Sequence, residues 1–303
     1  MSEQTRKQGT LAAFAAYFFW GFLPIYWKTV QQVPATELLA HRIVWSLVLL
    51  GLVMSVRKQW GWLAETLREP KTLLLYLASA CLLATNWVVY IWAVNAGHIV
   101  ETSLGYFINP LVNVLLGVLF LKERLRRGQV GAVMMAASGV LYLTLSYGVV
   151  WWISLTLAFS FGFYALLRKK APLGALESLS LEIIWLIVPA LGYLIYLESA
   201  NVGSFGHTDP ITTSLLILTG LVTAGPLFLF GYGAQRVTLT TLGILQYIAP
   251  SLQFIIGVTL YGEAFTTTRM IGFGIIWTAL LIYTLEGARH ARQRTAKLAL
   301  SSG

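Results

Sequence analysis

The sequence predicts an all-α polytopic membrane protein, with ten transmembrane helices in two inverted five-helix repeats. Three observations carry this prediction. Of 303 residues, 57% are hydrophobic and 11% charged, whereas soluble domains carry about 25% charge; too little polar surface exists to coat a soluble globule. The apolar residues also come in long uncharged runs, from Arg127 to Arg168, Asp209 to Arg236 and Arg236 to Glu263, and about 20 apolar residues suffice for one helical crossing. Finally, the two halves of the chain align with each other at an offset of 140 positions.

The first span, 8–28, follows Arg6 and Lys7. Its apolar part is too long for a signal peptide and no A-x-A-like cleavage site follows, so it is expected to be retained. The second and third, 36–56 and 72–95, are separated by Arg57, Lys58, Arg68 and Lys71. The fourth, 100–121, ends at the basic run KERLRR, and the fifth and sixth, 128–146 and 149–168, divide an uncharged interval near Ser146-Tyr147-Gly148. The seventh, 178–198, follows Arg168, Lys169 and Lys170; the last three are 211–235, 238–261 and 268–288. Barrel strands would alternate in polarity over about ten residues, and these runs are continuous and longer. The expected division is a first repeat at 1–146, a second at 147–288 and a basic cytoplasmic tail at 289–303.

Charge orients the array. With the N-terminus in the cytoplasm, only Lys28, Arg42 and Arg269 of the 21 basic residues fall on the outer side, the asymmetry expected of cytoplasmic loops. An even span number with both termini inside follows, in the cell inner membrane. The net charge of +9 is thus a topology signal, and no nucleic-acid partner is expected.

At the 140-residue offset Ile108 falls on Ile248, Pro110 on Pro250, Gly117 on Gly257, Glu123 on Glu263 and Trp45 on Trp185. Five spans is an odd number, so the second half must insert upside down. Inverted repeats characterise secondary transporters, whose substrate sites lie at the repeat interface.

The segments AAYFFWGFLPIYWK, HRIVWS, NWVVYIWAVN and ETSLGYFINPLVNVLLGVLFLKERL resemble the RarD branch of the EamA-type drug/metabolite transporter superfamily. The resemblance runs from about Gly9 to Tyr283. It implies ten helices, two inverted repeats and a central cavity opening alternately to either side. Better-known members of the superfamily are described as exporters of amino acids and related metabolites. The resemblance supplies neither this branch's solute nor a binding motif.

The site candidates therefore come from the residues themselves. Tyr106, Asn109 and Asn113, at i, i+3 and i+7, share one helix face, and the offset sets Gln246 and Gln253 opposite Tyr106 and Asn113, with Tyr247 beside Gln246. Such a stripe avoids lipid, where an unpaired polar group costs several kcal/mol. It faces a wet cavity or serves as interhelical glue; the symmetry favours the cavity. Asn86 and Tyr90, at i and i+4 in the third span, join the substrate-binding set. Pro110 and Pro250 are hinge candidates, because each removes a backbone donor. Arg42 and Glu182 occupy matching positions with opposite sign, and buried charge needs a partner. Glu101 is the expected mate of Arg42, and Arg168 or Lys169 that of Glu182. A structural ion pair is favoured over a proton relay at Glu182 or carboxylate guidance by Arg42.

The expected function is secondary transport, by alternating access, of small organic metabolites or drug-like solutes, in the export direction. The alternatives are a uniporter or channel-like permease on the same fold, or a non-transporting receptor or scaffold. A membrane-embedded enzyme is disfavoured: the four histidines are scattered and no H-E-x-x-H occurs. No catalytic residue, metal site or cofactor is expected, since no G-x-x-x-x-G-K-[ST] run exists and the lone Cys81 excludes paired-thiol sites. The partners expected are a small-molecule substrate, the lipid bilayer and a coupled proton resting on Glu182; monomer and homodimer both stay open.

Overall fold

The computed structural model of the chain describes residues 2–147, 151–262 and 266–301, with backbone alone at Tyr147, Ala288 and 291–301. Gly148 and Glu263, the expected mate of Glu123, lie outside the described residues. Twelve helices occur among the described residues: α1 (Glu3–Thr29), α2 (Ala35–Arg57), α3 (Gly61–Thr66), α4 (Pro70–Asn95), α5 (Ile99–Leu121), α6 (Arg127–Tyr147), α7 (Trp151–Lys170), α8 (Ala175–Ser199), α9 (Pro210–Ala234), α10 (Leu239–Gln246), α11 (Ile248–Tyr261) and α12 (Thr267–Ser301).

Nine spans among the described residues are long and apolar enough to cross a bilayer, α10 and α11 counting together as one. The tenth helix, α7, is 20 residues long. Its tryptophans, serines and Arg168 make it less apolar, and it packs against α4 and α5, so fewer of its side chains need to suit lipid. Outward-facing apolar side chains such as Leu52, Leu119, Val188 and Ile195 form the lipid surface that a continuous hydrophobic run dictates.

The sequence does not foretell two features. A short helix, α3, fills the loop before α4. The ninth span breaks at Tyr247 into α10 and α11. Pro250 has no N–H to offer the Gln246 carbonyl, and the backbone tightens there, with Tyr247 N–H donating to Ile244 O. Pro110 sits inside an unbroken α5. The same residue type at matching positions thus sits within one continuous helix and at the interruption of the other.

The main core joins α1, α2, α4, α5, α7, α8, α9 and α10. α6 and α12 pair with each other at the side, held through α5 and a second cluster including Phe107, Leu143, Tyr247 and Phe273. Close crossings use glycine: a Cβ on Gly243 would stand 2.6 Å from the Pro110 carbonyl oxygen, where α10 crosses α5, the small-residue approach that membrane helices favour. Glu123, just past α5, accepts from the Leu239 and Thr240 amides at 2.6 and 2.9 Å. A carboxylate there meets the positive end of α10. α5 and α11 also end alike, on left-handed Lys122 (φ 55) and Gly262 (φ 67), whose N–H groups donate to Gly117 and Gly257.

Candidate functional site

A cavity of about 170 Å³ lies at the centre of the bundle. α1 contributes Trp20, Pro24 and Trp27, and α2 contributes Arg42. α4 presents Asn86, Trp87 and Tyr90, and α5 presents Tyr106. Gln246 from α10 and Pro250 and Gln253 from α11 complete the polar wall. A second space of about 340 Å³ shares Pro24, Tyr90, Tyr106, Pro250 and Gln253 with it. That space is lined further by the start of α5, the end of α11 and Arg269 at the start of α12. All three of these lie toward the face opposite the N-terminus, so the cavity is approached from that face.

The polar stripe divides. Tyr106 reaches the cavity, its ring edge-on to Tyr90 at 5.8 Å. Asn109, one turn on, donates to the Ala158 carbonyl of α7. Asn113 donates to Asn109 Oδ1 at 3.2 Å and to Gln246 Oε1 at 2.9 Å. Tyr247 is fully buried and donates to the Phe107 carbonyl at 3.3 Å. Asn109, Asn113 and Tyr247 therefore do not line the cavity; they join helices to one another. Of the expected substrate-binding residues, Asn86, Tyr90, Tyr106, Gln246 and Gln253 do line it. Asn86 is pinned there by donating to Leu157 O (2.9 Å) and Ser160 Oγ (3.0 Å) of α7. Gln253 donates to Trp20 O at 3.0 Å.

Arg42 is the only charged residue among the described residues of the cavity wall. Its Nε donates to Thr223 Oγ1 of α9 at 2.9 Å, and its guanidinium carbon lies 5.0 Å from the Trp27 ring centre and 4.8 Å from that of Trp87. Rings at such distances attract a guanidinium. No carboxylate of a described residue pairs with it. The expected partner, Glu101, is turned elsewhere: its side chain meets His98 Nδ1 at 3.1 Å, three residues back along α5, and its backbone oxygen accepts from Ser154 of α7. The Glu101 carboxylate thus turns back to the N-cap residue of its own helix.

Glu182, at the matching position of α8, has the opposite setting. It is fully buried, as is Arg168, whose Nη1 stands 3.5 Å from Oε1. Ser79 Oγ donates to Oε1 at 2.6 Å and Tyr164 OH to Oε2 at 3.1 Å. Around this pair, Tyr76 and Ser178 hydroxyls meet at 2.7 Å, Leu173 N–H donates to Tyr76, and Gln235 Nε2 donates to Leu173 O at 2.8 Å. Lys169 donates to the Val237 carbonyl. These bonds tie α4, α7, α8 and α9 together on the N-terminal side of the cavity. Of the two mates expected for Glu182, Arg168 fills the role and Lys169 does not.

Sequence reasoning passed over Trp27, Trp87 and Thr223, which fix the Arg42 head. Tryptophan is common at membrane interfaces, which masks a binding role, and Trp92 does lie outside the cavity, against His98 and Trp152. Thr223 offered one signal, a hydroxyl inside a long uncharged span. Among the described residues no cluster of histidine, cysteine and carboxylate could hold a metal ion.

Comparison with known proteins bears on the family and the fold. The EamA-like transporter family matches residues 7–145. Protein RarD of Streptomyces exfoliatus is 47% identical over 297 residues, covering 98% of this chain and 94% of that protein. Protein RarD of Escherichia coli (strain K12) is 43% identical, covering 98% of this chain and 100% of that protein. An uncharacterized transporter of Bacillus subtilis (strain 168), YojE, is 44% identical, with 96% and 98% covered. A solved crystal structure superposes with a TM-score of 0.68 at 20% identity, over 91% of this chain and 97% of that one; this likeness speaks for the fold alone.

Proposed function

This chain belongs to the RarD branch of the EamA-type drug/metabolite transporter superfamily, and we propose on that premise that it is a secondary transporter that exports small organic solutes by alternating access. The family points to a multi-pass membrane transporter of a small molecule rather than to an enzyme. On our reading the two halves are inverted copies, both termini lie in the cytoplasm of a cell whose inner membrane holds the protein, and the central cavity is the solute site. The observation that carries the reading is the contrast across that cavity. On the side opposite the N-terminus, which we read as the outer face, a second space shares Tyr90 and Tyr106 with it. On the N-terminal side, which we read as cytoplasmic, we take the buried Arg168–Glu182 pair and its bonds as the closure. Such a state is one from which an exporter releases its load. In the opposite state the Arg168–Glu182 layer parts and the Tyr90–Tyr106 layer closes.

In this account Glu182 is a lock. Its carboxylate is held by Arg168, Ser79 and Tyr164 and is not in the cavity wall, so proton coupling through it is the weaker form of the proposal. Pro250, where the helix is interrupted, is the hinge we favour over Pro110. The test is counterflow in vesicles reconstituted with the full chain, using labelled solutes found by comparing metabolites inside and outside cells that lack or overproduce the protein. Saturable counterflow is expected, driven by the solute gradient. Flux that never saturates and shows no counterflow would replace the carrier by a pore.

A further inference from the structure

We infer, building on the transport reading above, that the cavity selects solutes carrying a single carboxylate on a flat, largely apolar body. Arg42 carries the argument. Thr223 occupies its Nε and two indole rings lie against the guanidinium, while the two terminal nitrogens have no protein partner among the described residues. What is left is the fork of terminal N–H groups, at the wall of a cavity. That fork matches the two oxygens of a carboxylate, and the rings and Thr223 set its direction before a solute arrives.

The charge count narrows the class. One cation in the wall compensates one negative charge. A dicarboxylate or a phosphate dianion would bring a second charge to a wall whose described residues hold no second cation to pair it, which is costly. An organic cation, which aromatic walls alone would welcome, meets an unneutralised guanidinium. The rest of the wall suits a flat body: Trp20, Tyr90, Tyr106 and Phe161 are aromatic. Two side-chain amides in the wall keep polar atoms for a substituent. Gln246 spends its Oε1 on Asn113 and keeps its NH₂ donors, while Gln253 spends its Nε2 on Trp20 and keeps its Oε1 acceptor.

The test titrates the purified full chain in detergent with matched pairs, benzoate against benzamide and indole-3-acetate against indole-3-acetamide, together with phthalate and benzyltrimethylammonium. The expected result is that each carboxylate binds about tenfold or more tighter than its amide, as a charge-assisted bidentate contact would give, with phthalate and the cation weaker still. In Arg42→Gln the preference collapses to near unity, and Arg42→Lys recovers part of it. If Arg42→Gln does not fold, Thr223→Val, which keeps the charge and frees the fork, should weaken the preference. Equal binding of acid and amide, no binding of any carboxylate, a preference for phthalate or the cation, or a preference that survives Arg42→Gln each overturns the inference. Its failure is separable from that of the transport reading. Counterflow of a neutral or cationic solute would keep transport and remove the carboxylate, whereas carboxylate binding without any counterflow would do the reverse.

Discussion

Arg42 and Glu182 stand 140 positions apart in a chain that repeats at that offset, and their surroundings are opposite. Glu182 is sealed, ion-paired and given two hydroxyl donors. Arg42 is set against two indoles, with no carboxylate paired to it among the described residues. The difference teaches what each end of the bundle is for. A buried ion pair holds helices in one arrangement, because separating the charges in a dry interior is expensive. A guanidinium in a cavity wall, with rings and a hydroxyl about it, suits the anion proposed above. On the transport reading proposed above, position 182 serves closure and position 42, which the offset aligns with it, serves recognition.

The largest effect should come from breaking the sealed end. Arg168→Met or Glu182→Leu alone leaves an unpaired buried charge and should cost about 3–5 kcal/mol of stability, and the two together should recover most of that loss. A double-mutant cycle in detergent unfolding measures it. Arg42→Gln should cost about 1 kcal/mol, the worth of cation–π contacts, while abolishing the carboxylate preference. Equal losses of stability at both ends would erase the comparison.

Next is the crossing of α10 over α5 on the closed side. Gly243→Leu places a side chain against the Pro110 carbonyl and the Asn113 Cβ and should cost about 1–3 kcal/mol by overpacking. Unfolding midpoints read the loss. An unchanged midpoint would mean that the closed side is looser than described.

A smaller effect separates the two kinds of amide. Asn113→Ala should lower stability by about 0.6–1.7 kcal/mol, the range of interhelical hydrogen bonds, with solute affinity moved only through Gln246. Gln253→Ala gives up only its one bond to Trp20 O, so it should cost stability at the low end of that range while weakening solute binding directly. A direct competition assay with both variants would reverse their assignments if Asn113 proved the stronger solute contact.

The smallest lies away from both regions, at the start of α9, and serves as a control. Asp209 accepts from the Thr212 amide and hydroxyl at 2.9 and 2.6 Å, which holds its carboxyl below the usual range. Its folded value being depressed, the stabilisation is complete above the unfolded value of about 3.9 and is lost as pH falls through the folded one. Asp209→Asn should flatten a slight acid-side decline in the unfolding midpoint and leave transport alone.

Much of the fold was legible because bilayer crossing needs long apolar runs, and the sequence has them. The break at Tyr247 was not, since Pro110 and Pro250 look alike in sequence and only the local packing decides whether a helix runs on through a missing donor or is interrupted. The site was half legible. Periodicity put Tyr106, Asn109 and Asn113 on one face, and they do share it. That face is wide enough to touch the cavity, α7 and α10 in turn, so a shared face did not mean a shared role. Glu182 and Arg168 could be matched as one buried charge seeking another. Arg42 could not, because its partners are rings and a hydroxyl, which carry no charge to betray them.

The central claim is that the cavity meets water on one side only in this state. Its most direct measurement is labelling by a membrane-impermeant thiol reagent of Gln253→Cys and, separately, Ser178→Cys, each in a Cys81→Ser background and with reagent applied from each side. The account predicts that position 253 reacts from the outer side and that position 178, buried beside Tyr76, reacts from neither until a solute drives the opposite state. Reaction of 178 from the cytoplasm while 253 stays silent from both sides would contradict it.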